Sequence, residues 1–405
     1  MVAPISRPPI DNGCVRISGD RVIAIGPWET VVSSLEEPVI DLGDAVLLPG
    51  LVNAHCHMDY THLAGRIGPT KTFTGWIQAI MTHKAGWSMT NYAQSWAAGA
   101  QMLVRSGVTT VADMEAVPAL LPETAGRFPL RIFSFLELIG IKKEIPASDV
   151  IRPVLDQVRF FETAGGRIGL SPHAPYSTTS KLLRLSVRMA RKWQWRLASH
   201  VAESEEEFEM FMHQGGPLFE WLKNQRDMSD CGRGSPVQHL EANRVLGPCL
   251  LAAHVNYLAP GDADLLARRG VSVVHCPRSH AYFRHAPFPH GDLSNAGVNI
   301  CLGTDSLATV NQPAGVRLEL DMFHEMRALS AAHPELLMET IVRMATINGA
   351  KALGLEGKIG ELRPGVWADL IALPYRGSPA QVYEGIAQHS GGLIASMIGG
   401  RWAAN

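Results

Sequence analysis

The residues that could do chemistry cluster at the ends of apolar runs. His55 and His57 close the segment Pro49-Gly50-Leu51-Val52-Asn53-Ala54-His55-Cys56-His57. Strand side chains alternate faces, so imidazoles at i and i+2 point to the same side. Two imidazoles converging at the end of a buried strand begin a transition-metal site. A pair of structural histidines would look the same, so the weight comes from elsewhere. His200 ends the run from Leu197, His254 ends the run from Cys249, and Asp305 follows the run from Asn299 to Gly303. Singly, these could be a capped loop, a hydrogen-bonded core imidazole and an Asx turn. Together with the His-x-His pair they point to metal and acid–base chemistry.

The elements that must position them alternate in type. Candidate strands are Val46 to His55, Thr109 to Met114, Arg131 to Glu137, Ile168 to Ser171, Leu197 to Val201, Cys249 to His254, Val271 to His275 and Asn299 to Gly303. Between them, Tyr92 to Arg105, Val150 to Thr163, Ser180 to Arg191 and Asp262 to Arg269 carry helical periodicity. Eight short buried strands alternating with helices predict an α/β fold closed into a (β/α)8 TIM-like barrel. Reactive groups then belong at the carboxyl ends of the strands, which is where these residues fall. Val15 to Ile40 and Gly360 to Trp402 are instead Gly-punctuated and rich in β-branched residues. They predict one small β-sandwich domain built from both chain ends. The expected division is 1–47 for its first part, 48–354 for the barrel and 355–405 for its second part.

Composition bounds the possibilities. The 405 residues are 46% hydrophobic and 18% charged, with formal net charge −2. No surface basic enough for nucleic acid is expected. The cluster Arg184, Arg188, Arg191, Lys192 and Arg196 reads as a solvated helix face. Six scattered cysteines without a CxxC suit reduced thiols and a cytoplasmic setting. Neither a signal peptide nor a membrane span is expected.

At this point the sequence resembles the amidohydrolase superfamily. The pieces that carry the resemblance are PGLVNAHCH from Pro49, SPHAPYS from Ser171, SHVAES from Ser199, HCP from His275 and GTDS from Gly303. The trailing ATINGAKALGLEGKIGELRPGVWADLIAL, from Ala345, looks like that superfamily's return into its β-rich domain. The resemblance implies a barrel hydrolase holding a metal with His55, His57, His200 and Asp305. It also implies a proton-shuttling Glu203 and a His254 that orients or polarises the attacked group.

The physical chemistry agrees with those roles. Three imidazoles and a carboxylate suit one divalent ion, Zn²⁺ ahead of Fe²⁺, which would lower a water's pKa from about 15.7 towards roughly 7. Asp305 can both ligate and accept the water's proton. Glu203 cannot share the face of His200 by strand alternation, so it must lie on the turn beyond, beside the metal. One family branch bridges two metals with a lysine after the fourth strand. Arg167-Ile168-Gly169-Leu170-Ser171-Pro172-His173 has none, so a single ion is expected. The resemblance then points to the deaminase-like branch: attack on an aromatic C–NH₂ carbon with loss of ammonia. Cys56, Cys276 and Cys301 read as buried core rather than thiolate ligands.

Substrate contacts are expected from three places. His173, after the fourth strand, faces the reactive end. The long segment Tyr60 to Trp87 carries Trp76 and Trp87, either as a sandwich for a purine-like ring or as anchors of the loop itself. Arg278 and Arg284, after the seventh strand, could meet a carboxylate. The resemblance implies deamination of a 6-aminopurine nucleoside with a 5′ extension, aminodeoxyfutalosine-like. A triazine chlorohydrolase or amidase on the same scaffold is the alternative, and a non-catalytic relative is less favoured because every ligand and Glu203 are present. The partner is a small molecule, without nucleic acid or membrane; a homodimer is compatible.

Overall fold

The computed structural model describes residues 1–32, 38–124, 126–163, 167–312, 315 and 317–404. Residues 33–37 of the expected N-terminal β region lie outside that set. Near the N-terminus, β1 (Gly13–Ser18) and β2 (Arg21–Pro27) pair as an antiparallel hairpin. β3 (Ala45–Pro49) is followed by eight strands that form one sheet in chain order: β4 (Leu51–Cys56), β5 (Val108–Glu115), β6 (Arg131–Leu138), β7 (Arg167–Pro172), β8 (Arg196–Val201), β9 (Leu250–His254), β10 (Ser272–His275) and β11 (Asn299–Leu302). Every neighbouring pair in that sheet is parallel. The bridge Cys56 to Asp305 joins its first and last members and closes the barrel. β12 (Leu370–Pro374), β13 (Ala395–Ile398) and β14 (Arg401–Ala404) extend β3 into a separate four-stranded antiparallel sheet.

The first apolar run is therefore two strands rather than the one expected from Val46 to His55. Ala45 to Pro49 pair with Pro374 to Leu370, so a division after residue 47 would cut β3. Pro49-Gly50 breaks the run, because proline cannot continue a ladder donor and the chain crosses close to β5. A Cβ on Gly50 would lie 2.3 Å from Oγ1 of Thr109. The same economy seals the barrel. A Cβ on Gly303 would lie 2.7 Å from the carbonyl oxygen of His55, so only glycine lets the chain after β11 approach β4.

Between the strands the helices cover the barrel with their apolar faces. In Ser180–Trp193, Leu182, Leu183, Val187 and Ala190 are buried, and the Thr179 hydroxyl accepts from Leu182 N–H at the helix start. Arg184, Arg188, Arg191 and Lys192 lie exposed on the opposite face of this helix, but Arg196 does not join them. It opens β8, and alternation puts it on the inward row with Ala198 and His200. The small sheet and the hairpin share a core of Val2, Val22, Leu362, Val366, Ala368, Leu370 and Met397. Among the described residues no helix is long and apolar enough to cross a membrane.

Candidate active site

Inward rows of the barrel end in polar groups at its carboxyl mouth. β4 delivers His55, and His57 follows one residue past its end; Cys56 between them points out into the core. β8 delivers His200, β9 delivers His254, and Asp305 follows β11. All five are buried. Nε2 of His57 and Nε2 of His200 lie 3.2 Å apart. Nε2 of His55 and Nε2 of His57 each lie 3.7 Å from Oδ1 of Asp305. Two overlapping groups, His55 with His57 and His200, and His55 with His254 and Asp305, hold their ligand atoms within 4.8 Å of one another.

These residues fit a divalent ion on their own chemistry. The buried Nε2 of His55 has no hydrogen-bond partner, an arrangement that costs free energy unless something fills it. Burial pulls the imidazole of His200 down to about 3, reinforced by His173 and His55. Burial likewise drives His57 and His254 well below the ordinary histidine value. Neutral imidazole is the form a metal binds. For Asp305, burial pushes the carboxyl up, but contact with His55 and the fields of His254, His55 and His57 outweigh it and hold the carboxylate ionised. The Thr309 hydroxyl donates to its second oxygen at 3.2 Å. His200 is oriented from behind: its Nδ1 donates to the carbonyl of His173 at 2.8 Å, leaving Nε2 free.

Backbone conformation aims these groups. Ala202, His254, Val255 and Asp305 all have positive φ, from 47° to 73°. For residues with a Cβ this conformation is strained, and such strain gathers at functional sites. At Ala202 it has a visible effect: the chain leaves β8 and doubles back, bringing Glu203 towards the cluster, as strand alternation required. Oε1 of Glu203 lies 3.7 Å from Nε2 of His254. Its N–H donates to the Glu207 carboxylate at 2.9 Å, and its carbonyl accepts from Asn256 Nδ2 at 2.8 Å. Burial raises the Glu203 carboxyl well above the usual range, with further lift from Asp305 and Glu207. A carboxyl that burial biases towards its protonated form thus sits beside a carboxylate and imidazoles biased the other way, a division of labour suited to acid–base catalysis.

The expected substrate contacts fare unequally. His173 is brought in, its ring 4.7 Å from that of His200. Trp76 stacks on Phe73 at 5.9 Å and meets Phe283 edge-on at 5.2 Å. Trp87 instead meets Tyr92 edge-on at 5.1 Å, so the ring partners of the two tryptophans are other protein rings and not a shared gap. The segment from Tyr60 is largely helical rather than a loop, with a helix over Phe73–Lys84. Glu206, just past Glu203, ties that helix down by accepting from the N–H groups of Phe73 at 2.7 Å and Thr74 at 3.0 Å.

Arg278 is engaged within the protein. Its guanidinium pairs with the fully buried Glu325, whose other oxygen accepts from Arg278 N–H at 2.9 Å, and it also donates to the carbonyl of Glu319 at 3.0 Å. An arginine already neutralised by a buried carboxylate has little to offer a substrate anion. Cys56 and Cys276 are buried, and burial pushes both thiols well up, away from the thiolate form.

Sequence reasoning missed several neighbours. Tyr60 stacks on the His57 ring at 5.0 Å, and Nζ of Lys84 lies 3.7 Å from the centre of the Tyr60 ring. Asn53 bridges the seam to Thr304, with Nδ2 donating to the hydroxyl at 2.8 Å. Glu137 ends the inward row of β6, and the strand-end rule that singled out His200 would have found it.

Comparison with known proteins bears on this geometry. The model of the amidohydrolase family matches residues 46–402. A 5-methylthioadenosine/S-adenosylhomocysteine deaminase of Syntrophobacter fumaroxidans is 32% identical over 389 residues, covering 90% of this chain and 81% of that protein. The crystal structure of Helicobacter pylori aminofutalosine deaminase superposes with TM-score 0.83 at 20% identity, covering 99% of this chain and 97% of that one. An adenosine deaminase from Xanthomonas campestris, crystallised with bound zinc, gives TM-score 0.80 at 23% identity, covering 99% and 90%.

Proposed function

The chain belongs to the amidohydrolase family and is a hydrolase of C–N bonds, and from that premise we propose that it is a metal-dependent deaminase of an adenine nucleoside. The observation that carries the proposal is the placing of Glu203, buried and 3.7 Å from His254, beside the three imidazoles and Asp305. A buried acid in that position can protonate a ring nitrogen as the adjacent carbon is attacked.

His55, His57, His200 and Asp305 would hold one divalent ion, Zn²⁺ by analogy with the zinc-bound adenosine deaminase. When bound, such an ion supplies Lewis acidity that makes water acidic near neutral pH. The remaining work falls to side chains. Glu203 keeps its proton because of burial and delivers it to the ring nitrogen next to the C–NH₂ carbon. His254 donates towards the negative charge that develops as the ring is attacked. Asp305 accepts a proton from the attacking water and returns it to the leaving amine. The water's second proton, released as the carbon becomes a carbonyl, returns to Glu203, so that one proton ends on the ring nitrogen, one on ammonia, and the acid is restored.

Phe73, Trp76, Tyr176 and Phe283 pack on one another as a single aromatic cluster. Of the two arginines expected to meet an anionic 5′ extension, Arg278 is paired with Glu325. Ammonia release by metal-loaded protein on adenosine, 5′-methylthioadenosine, adenine and a chlorotriazine tests the proposal. Ammonia from a nucleoside is the expected result. Chloride release alone would replace deamination with dechlorination.

A further inference from the structure

Two polar groups at the barrel mouth are used neither by the metal set nor by the acid–base pair. Glu137 is almost wholly buried in its side chain, and its Oε1 has no hydrogen-bond partner. Nε2 of His173 lies 4.0 Å from that oxygen. The gap is too long for a direct hydrogen bond. The other nitrogen of His173 is occupied, since Nδ1 meets the Ser177 hydroxyl at 2.6 Å. The Ser177 hydroxyl also lies 3.3 Å from the Ala174 carbonyl, so it shares its proton between two acceptors, and in the tautomer where it donates to Nδ1 the ring N–H is on Nε2. In that tautomer the pair is a buried, unpartnered acceptor and a partly exposed donor, 4.0 Å apart.

A second metal ion is a poor occupant. Glu137, His173 and His200 do bring ligand atoms within 4.8 Å of one another. But His200 has its Nδ1–H on the carbonyl of His173, and its one remaining lone pair faces His57 Nε2 at 3.2 Å. A hydroxyl oxygen fits better. It can donate to Glu137 and accept from His173 at once, and two contacts of about 2.8 Å span the gap with a bend.

Position says whose hydroxyl. Strand order runs β6, β7, β8, β9 around the barrel. Glu137 and His173 flank His200 on one side, while His254, with Glu203 against it, lies on the other, its ring 5.5 Å from that of His200. A purine with its amino-bearing carbon beside Glu203 and His254 would reach across His200 with its opposite, sugar-bearing end. We propose that Glu137, together with His173, clasps one hydroxyl of the substrate's sugar and so selects a ribonucleoside over its deoxygenated counterpart. This assignment rests on the deaminase function proposed above.

The test compares kcat/KM for adenosine and 5′-methylthioadenosine, each against its 2′,3′-dideoxy form, in wild type, Glu137→Met and Glu137→Gln. A site built to hydrogen-bond a hydroxyl rejects the analogue lacking it strongly, so wild type should prefer the hydroxylated form by about 10²-fold or more. Glu137→Met should bring that ratio within about tenfold, and Glu137→Gln, which keeps an acceptor oxygen, should restore part of it. A purely structural role would depress all substrates together and leave the ratio alone, which overturns the clasp. A wild-type ratio near one overturns it without any variant, so a Glu137→Met protein that does not fold leaves the test intact. Ammonia from all four nucleosides at equal efficiency sinks the clasp only. Ammonia from none, with metal bound, sinks the deaminase function and the clasp with it.

Discussion

The carbonyl oxygen of His173 accepts a hydrogen bond from Nδ1 of His200 at 2.8 Å, so a backbone group fixes the tautomer of a candidate metal ligand. The side chain of His173 points elsewhere, to Ser177 and Glu137. The two roles should separate. His173→Ala is expected to keep the full metal content and lose about tenfold or more in kcat/KM, the order of a lost polar contact to substrate. Metal analysis and steady-state kinetics on the same preparation check this; a loss of metal would assign the ring itself to the metal set.

One ion per chain should be bound. His55→Ala and Asp305→Ala should each lose both metal and turnover, because each removes one ligand from the set. Chelation should lower Tm, and adding Zn²⁺ back should raise it with concentration, since a ligand that binds only the folded state stabilises it by mass action. Two ions per chain, both needed for turnover, would contradict a mononuclear centre.

Glu203→Gln preserves shape and removes the transferable proton. The variant should bind metal normally and lose about 10²–10⁴-fold in kcat. Turnover near the wild-type rate would take the proton-shuttle role away from Glu203.

Glu207 yields a prediction about stability and pH. Burial pushes its carboxyl up from 4.5 to about 8, against the lowering effect of the N–H groups of Glu203 and Ala202. A folded value above the unfolded one means that the folded protein holds the proton more tightly. That contribution to stability is complete below pH 4.5 and is lost as pH rises through about 8. Glu207→Gln has no proton to lose, so its Tm should gain on that of wild type between pH 5 and 9. Parallel Tm curves across that range would remove Glu207 as the source.

Arg278→Ala should act on stability. It leaves the carboxylate of Glu325 buried and unpaired, a situation that costs about 3–5 kcal/mol. Arg278→Ala combined with Glu325→Leu should recover much of that loss. Denaturant unfolding of wild type and the two variants measures it; a raised KM with unchanged stability would return Arg278 to the substrate site.

The legible parts of this molecule are those governed by short-range periodicity. His55, His57, His200, His254 and Asp305 lie where strand period and the strand-end rule place them, and the eight strands were visible as apolar runs. Glu203 was legible as a residue that must turn back, though not the positive φ at Ala202 that turns it. The pairing of Arg278 with Glu325 was not legible, because the partner lies 47 residues on, beyond any local pattern. Pro49-Gly50 was read as part of a strand because burial on both sides hides a break. The segment after Tyr60 was read as a loop because the helix from Phe73 is held at its start by Glu206, 133 residues away.

The barrel's seam carries one more consequence. Among the described residues, the last strand's extension is sewn to β4 by Asp305 N–H on the carbonyl of His55 at 3.0 Å and by His57 N–H on the carbonyl of Asp305 at 3.1 Å. The three residues that stitch the seam are also three of the four that would grip the ion. Chemistry and closure therefore share one fastening: an ion there rivets the cylinder shut across the joint between its two ends. In amide hydrogen exchange, the protons of His57 and Asp305 should quicken on chelation, while those in the middle of β6 and β7, far round the cylinder, stay slow.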